Sequence, residues 1–339
     1  MVGISACVPD LTINKSADNS TPEAYNNSRD TVNTAAIDWK NHFNDSNLIA
    51  LIDTALKKNQ ELNITMREIE IARNEVQARK GEYLPSVSIQ GGMAVDKVGR
   101  YTRNGALEAN NEIKPGKEFP EPLGDFMVGA YATWELDVWR KLRNAKKSAY
   151  LRYLSSIDGK NFMVTNLIAE IANSYYELLA LDNQLIIVKQ NIEIQNNALQ
   201  IMKLQKQSAR VTELAVRRFE AQVFYTKSLQ FAIQQDIIET ENMINFLLGR
   251  YPQPIPRNSE SFNDLETNSI KVGIPSQLLA NRPDIRQSEL ELKAAKLDID
   301  VAKANFYPSF GVSAGVGFQA FNAAHLVETP ESCIIWVEI

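Results

Sequence analysis

The chain has 339 residues, 44% of them hydrophobic and 23% charged, with a formal net charge of -5. So small a charge gives no reason to expect a nucleic-acid partner. Two cysteines, Cys7 and Cys333, and two histidines, His42 and His325, lie far apart, which speaks against a zinc cluster or a disulfide framework, and no apolar run reaches the roughly 18 residues of a membrane-spanning helix.

The N-terminus reads MVGISACVPD. Ile4-Ser5-Ala6-Cys7 has the apolar and small residues that precede a lipid-modified cysteine in bacterial lipoproteins. The basic start and most of the apolar core of a secretion signal are absent, so either the front is clipped or Cys7 is incidental. Up to residue 47 the chain is rich in Asn, Asp, Ser and Thr and reads as a tether with little capacity to fold alone. Helical patterning starts near Leu48.

An internal repeat follows. ALKKNQELNITMREIEIARNEVQARKGEYLPSVSIQGG has a gap-free counterpart in LLANRPDIRQSELELKAAKLDIDVAKANFYPSFGVSAG. Glu68 matches Glu291, Ala72 matches Ala295, Lys80 matches Lys303, Pro85-Ser86 matches Pro308-Ser309, and Gly92 matches Gly315. Each copy predicts a helix (48–84 and 278–307) that runs to a proline and becomes a strand, because proline cannot continue a helix and disfavours a helical residue before it.

Three segments alternate with period two and so predict strands with unlike faces. In the first, Val87, Ile89, Met93 and Val95 oppose Ser88, Gln90, Gly92, Ala94 and Asp96. In the second, Val128, Ala130, Ala132, Trp134 and Leu136 oppose Gly129, Tyr131, Thr133, Glu135 and Asp137. In the third, Phe310, Val312, Ala314, Val316 and Phe318 oppose Gly311, Ser313, Gly315, Gly317 and Gln319. Between the first two lies a polar stretch, roughly 97–125, that suits a long surface loop.

From Arg140 to Leu248 there is no proline, and apolar residues such as Val164, Ile171, Leu178, Leu199, Val216 and Val223 keep a 3-4 spacing. This is the periodicity of a coiled coil. A change of register near Ser208–Thr212 predicts a turn between two antiparallel helices, the first about 100 Å long if continuous. Gly249 and three prolines then end the hairpin and open a polar crossing over 251–277. "GVSAGVG" fits neither a P-loop nor a dinucleotide fingerprint.

Half-polar strands of about ten residues suit a transmembrane barrel, which must close to satisfy every backbone group. Three strands cannot close, so a barrel has to be shared among copies of the chain, and a symmetric homo-oligomer follows.

WELDVW (134–139), LLANRPDI (278–285), YPSF (307–310) and VTELAVRRFEAQ (211–222) resemble the TolC-like outer-membrane factor family, in particular its lipoprotein efflux (NodT-type) branch. The likeness runs from Cys7 to about His325. It implies a mixed α+β fold: long antiparallel helical hairpins forming a trimeric α-barrel, joined to strands of a shared transmembrane β-barrel, with four strands per subunit. It implies a lipid-anchored homotrimer in the outer membrane, a periplasmic adaptor and an inner-membrane pump as partners, export of small molecules, and no catalysis, cofactor or metal. It makes Cys7 the lipidation site, Arg210, Val211, Thr212 and Glu213 the adaptor-docking tip, and Val87, Ile89, Val128, Phe310, Val312, Val316 and Phe318 the lipid-facing wall.

Three departures stand out. The family has Gly where this chain has Arg140, after Trp139, and Gly where it has Ala209. The family also continues into a fourth strand and a second long helical pair, which the last stretch, ETPESCIIWVEI, does not resemble; 321–339 is therefore expected to be an atypical, truncated or frame-shifted end. Trp134 and Trp139 are candidates for an interfacial girdle or for burial at the strand-to-helix joint. Glu135 and Asp137 face a lumen or pair with Arg140, Lys141 or Arg143. Two other readings remain open from the residues: a periplasmic adaptor, and a coiled-coil scaffold without a channel.

Overall fold

The structure, a computed structural model, describes residues 20–25, 31–32, 38–258, 271, 273–326 and 333–338; Cys7 lies outside them. Among the described residues the helices and strands follow in the order α1 (Trp39–His42), α2 (Ser46–Lys58), α3 (Gln60–Glu82), β1 (Ser86–Asp96), α4 (Arg103–Asn110), β2 (Glu112–Lys114), β3 (Lys117–Glu118), β4 (Leu123–Leu136), α5 (Lys141–Gln207), α6 (Glu213–Leu247), α7 (Pro275–Asn281), α8 (Pro283–Ala304), β5 (Phe310–Ala320) and β6 (Cys333–Glu338). The chain divides into two compact units, one drawn from Ala72–Arg152 and Leu292–Ile339 and the other from Asn14–Ile71 and Tyr153–Glu291. The repeat is real in structure: α3 then β1, and α8 then β5, each switch at the paired prolines Pro85 and Pro308.

The first unit holds a four-stranded antiparallel sheet in the order β1-β4-β5-β6. The chain's last stretch, expected from its residues to be an atypical end, supplies a fourth strand. Residues Cys333–Glu338 pair along β5 from Phe318↔Cys333 to Ser313↔Glu338. The run CIIWVE is apolar on both faces, so it lacks the alternation that marks the other strands. Its Ile, Trp and Val content carries the strand preference instead.

The expected loop at 97–125 is not structureless. It contains α4, capped by Thr102 Oγ1 accepting from Gly105 N (3.2 Å), and the β2-β3 hairpin turned at Pro115-Gly116. Gly116 takes φ 79°, as the third residue of a type II turn requires. β4 also starts earlier than expected, at Leu123.

The second unit is helical. α5 is one continuous helix of 67 residues, about 100 Å of rise. Its middle packs with α2 and the end of α6 around Leu48, Ile52, Ile171, Leu178, Leu179 and Ile244, all at most 1% exposed. Tyr175 is buried among them and donates its hydroxyl to Asp45 Oδ2 (2.7 Å). Burial and the Asp45 carboxylate push that phenol well above its usual range. The other oxygen of Asp45 accepts from Asn47 N (2.8 Å), which caps α2. Further along the hairpin a second cluster joins Leu199 to Val216 and Val223, residues of the predicted 3-4 spacing. Arg257, in the crossing after α6, ties α5 to α6 by bonding Asp182 and Glu241, each at 2.5 Å.

Candidate functional site

The sheet is where the sequence puts its chemistry, and the register decides what each face carries. Ile89↔Ala130↔Val316↔Ile335 forms one row across the sheet, and Val87↔Ala132↔Ala314↔Val337 the next. Ser88↔Tyr131↔Gly315↔Trp336 and Ser86↔Thr133↔Ser313↔Glu338 are rows of the opposite face. The strands therefore pair in phase: one face is apolar in every strand, and the other is mostly small or polar in β1, β4 and β5, with Ile334 and Trp336 of β6 beside it. A slip of one residue would scramble this, so the alternation seen in three separate segments has become one surface.

Among the described residues nothing covers the apolar face. Ile89 is 82% exposed, Val87 72%, Val316 52% and Phe310 46%, while Val128 is exposed and Val312 and Phe318 are half-buried. All seven side chains expected to form a lipid-facing wall lie on this one face, joined by Met93 and Val95 of β1 and Ile335 and Val337 of β6. A dry protein core behind Phe310, Val312 and Val316 is not present among the described residues.

The other face is hydrogen-bonded and shaped by glycine. Ser86 and Thr133 share a hydroxyl contact of 2.7 Å, and Gln319 Nε2 donates to both carboxylate oxygens of Asp125 at 2.8 Å. Tyr131 and Trp336 lean together over Gly315, ring centroids 6.1 Å apart. A Cβ on Gly315 would stand 2.5 Å from Trp336 Nε1 and 3.0 Å from Tyr131. Glycine makes the bed for these two rings. The sequence alone does not show this pair, since Trp336 lies in the stretch that was set apart.

Beyond β4 the chain turns into α5, and Asp137 governs the turn. Its side chain is 2% exposed, and its oxygens accept from Leu142 N (2.9 Å), Arg143 N (3.0 Å) and Arg143 Nε (3.0 Å). Burial opposes ionisation here, but the two backbone N–H groups and the guanidinium outweigh it and hold the carboxyl below the usual carboxylate range. Glu135 pairs with Lys141. Both acids therefore take the ion-pair option, with Lys141 and Arg143 rather than Arg140. Trp134 Nε1 donates to Tyr83 O (3.1 Å), and Trp139 Nε1 donates to Pro308 O (2.9 Å) while its ring stacks on Tyr307 at 4.6 Å. Both tryptophans are fastened at the joint.

The hairpin turn falls at 208–212, as its register change predicts. Of the four expected docking residues, two serve the turn itself. Thr212 Oγ1 accepts from Ala215 N (3.3 Å) to cap α6, and Val211 packs on the Leu199 cluster. Glu213 pairs with Lys206 and with Arg217 (2.8 Å), which hold its carboxyl below the usual range. Arg210 is exposed, and so is Leu214 at 77%.

Among the described residues no group of three or more His, Cys, Asp or Glu could hold a metal, and no helix is long and apolar enough to cross a membrane. What the geometry offers is a two-faced sheet with open edges and a long helical hairpin.

Comparison with known proteins agrees. The family model described as "Outer membrane efflux protein" matches residues 51–250 and 274–331. The solvent efflux pump outer membrane protein SrpC of Pseudomonas putida is 26% identical over 307 residues, covering 88% of this chain and 61% of its own length. A Salmonella typhimurium protein named "Probable outer membrane lipoprotein SilC" is 24% identical over 308 residues, covering 91% of this chain and 62% of its own length. Among solved structures, a membrane protein from Pseudomonas aeruginosa superposes with a TM-score of 0.80 at 21% identity, over 94% of this chain and 71% of that one. The chain spans about three fifths of the length of these curated relatives. The matching family is that of the duct reading, not of the adaptor or scaffold readings.

Proposed function

The chain belongs to the outer membrane efflux protein family, and from that premise we propose that it is the outer-membrane duct of a tripartite export system. In this reading it is a passive conduit for small molecules, energised by an inner-membrane pump and reached through a periplasmic adaptor. The carrying observation is the bare apolar face: Val87, Ile89, Val128, Phe310, Val312, Val316 and Phe318 in phase across the strands. Burying such a face is worth about 25 cal/mol per Å² of apolar surface, and acyl chains supply the cover. The Ser, Gly, Gln and Asp face then lines water.

The sheet also argues for more than one copy. Four strands do not close, and the outer edges of β1 and β6 have no partner strand among the described residues. A homotrimer that joins β6 of one subunit to β1 of the next satisfies both edges. Cys7 is the proposed lipid anchor, consistent with the lipoprotein name of one relative. Arg210, Val211, Thr212 and Glu213 form the proposed adaptor-docking tip, with the exposed Arg210 as its point of contact and Thr212 and Val211 setting its shape.

The test is positional labelling in membranes. In a Cys333→Ser background, Val316→Cys should resist an aqueous maleimide, whereas Ser313→Cys, on the opposite face, should react at least about tenfold faster. Equal reaction at both positions in the membrane-inserted protein would remove the reading.

A further inference from the structure

The polar face of the sheet carries a feature that a wall of small residues does not need: a tyrosine and a tryptophan side by side. Tyr131↔Gly315↔Trp336 is one row across β4, β5 and β6, so the two rings rise on either side of a residue with no side chain. They lean over it with centroids 6.1 Å apart and planes at 46°, tilted rather than stacked. In the next row Gly129 pairs with Gly317, so the floor beside the rings is bare backbone. Packing on each other does not use these rings up: Trp336 stays 39% exposed and Tyr131 is half-buried.

The charge on this face has one sign. Asp96, Asp125, Glu135 and Glu338 are the only charged residues in the four strands, and the register puts all four on the side of Tyr131 and Trp336. Lys141 pairs with Glu135, and Asp125 accepts from Gln319. Glu338 is exposed and has no cationic partner among the described residues. It stands two residues along β6 from Trp336, about 7 Å away on the same face, with Ser313 opposite it.

A carboxylate beside an open indole favours a cation that carries apolar groups. The ring's negative face attracts the charge, its surface takes the methyl or aryl groups, and the carboxylate supplies the counter-charge. An anion is repelled by both. We infer that Trp336, Tyr131 and Glu338 form a site for an organic cation of the quaternary or aryl ammonium type. The indole and phenol hold the apolar body, the bare Gly129–Gly317 row leaves room for it, and Glu338 balances the charge. The whole site lies in one sheet of one chain. The inference therefore needs neither a membrane nor a second copy and stands apart from the duct reading.

Saturation-transfer NMR on the full chain in a non-ionic detergent, with benzyltrimethylammonium as the probe, tests it. The cation should bind saturably with a Kd of about 1 mM, and benzenesulfonate, a ring of opposite charge, at least about tenfold more weakly. Benzyl alcohol, a ring without charge, should bind about threefold or more weakly than the cation. Trp336→Leu should weaken the cation about fivefold. That change also removes a ring that packs β6, so Glu338→Gln, at an exposed position, serves as the variant that keeps the fold; it should weaken the cation about threefold. No saturable binding of the cation, binding of the cation no tighter than that of benzenesulfonate or benzyl alcohol, or unchanged cation binding in either Trp336→Leu or Glu338→Gln, would each overturn the assignment.

Discussion

Arg140 and Ala209 show how much a single position can reveal. Both sit where the resembled family has glycine, and both have left-handed backbones, with φ of 61° and 57°. Arg140 leads into α5. Ala209 follows its end, where Arg210 N donates to Gln205 O (2.9 Å) in a helix-closing turn. A side chain in that conformation costs about 1–2 kcal/mol, partly offset by the freedom glycine has when unfolded. Arg140→Gly and Ala209→Gly should each stabilise the protein by about 0.5–1 kcal/mol, read from thermal or denaturant unfolding. Asp137 carries a prediction in pH. Its folded carboxyl titrates below that of the unfolded chain, so its capping contribution is complete above the usual carboxylate range and fades as pH falls through the folded value. Unfolding followed from neutral pH down to about 3 should show this acid loss, and Asp137→Asn should flatten it while costing about 1–2 kcal/mol at neutral pH.

At the scale of elements, the legible parts were those with a period. The 3-4 spacing of Leu199, Val216 and Val223 gave the hairpin, and the alternation around Val87, Val128 and Phe310 gave three strands and their faces in correct phase. What escaped had no period to read. β6 is apolar on both faces, α4 is short, and the Arg257 clasp joins Asp182 and Glu241 across long stretches of chain. The Pro115-Gly116 turn is visible as a dipeptide, but its flanking strands of 3 and 2 residues are too short to show a period. The site follows the same rule: the wall residues need only alternation, whereas the Tyr131–Trp336 pair depends on strands far apart in sequence meeting over Gly315. Two outcomes belong here. Gly315→Val should displace Tyr131 and Trp336 and loosen β6, seen as red-shifted tryptophan emission and faster amide exchange in 333–338. Arg257→Met leaves Asp182 and Glu241 without their cation, and should cost roughly 3 kcal/mol in unfolding measurements.

For the molecule as a whole, the sheet's two outermost strands have a consequence of their own. β1 and β6 each turn a row of amide and carbonyl groups outward, beside a wall of bare valine and isoleucine. A lone copy adrift in water is therefore adhesive along both hems at once, and would zip onto whatever extended peptide it met. Produced in the cytoplasm, it should gather into insoluble clumps, found in the pellet on fractionation, while the helical hairpin by itself stays in the supernatant. The stickiness has to be timed: what ruins a stray molecule is the same thing that lets identical neighbours knit once they arrive side by side.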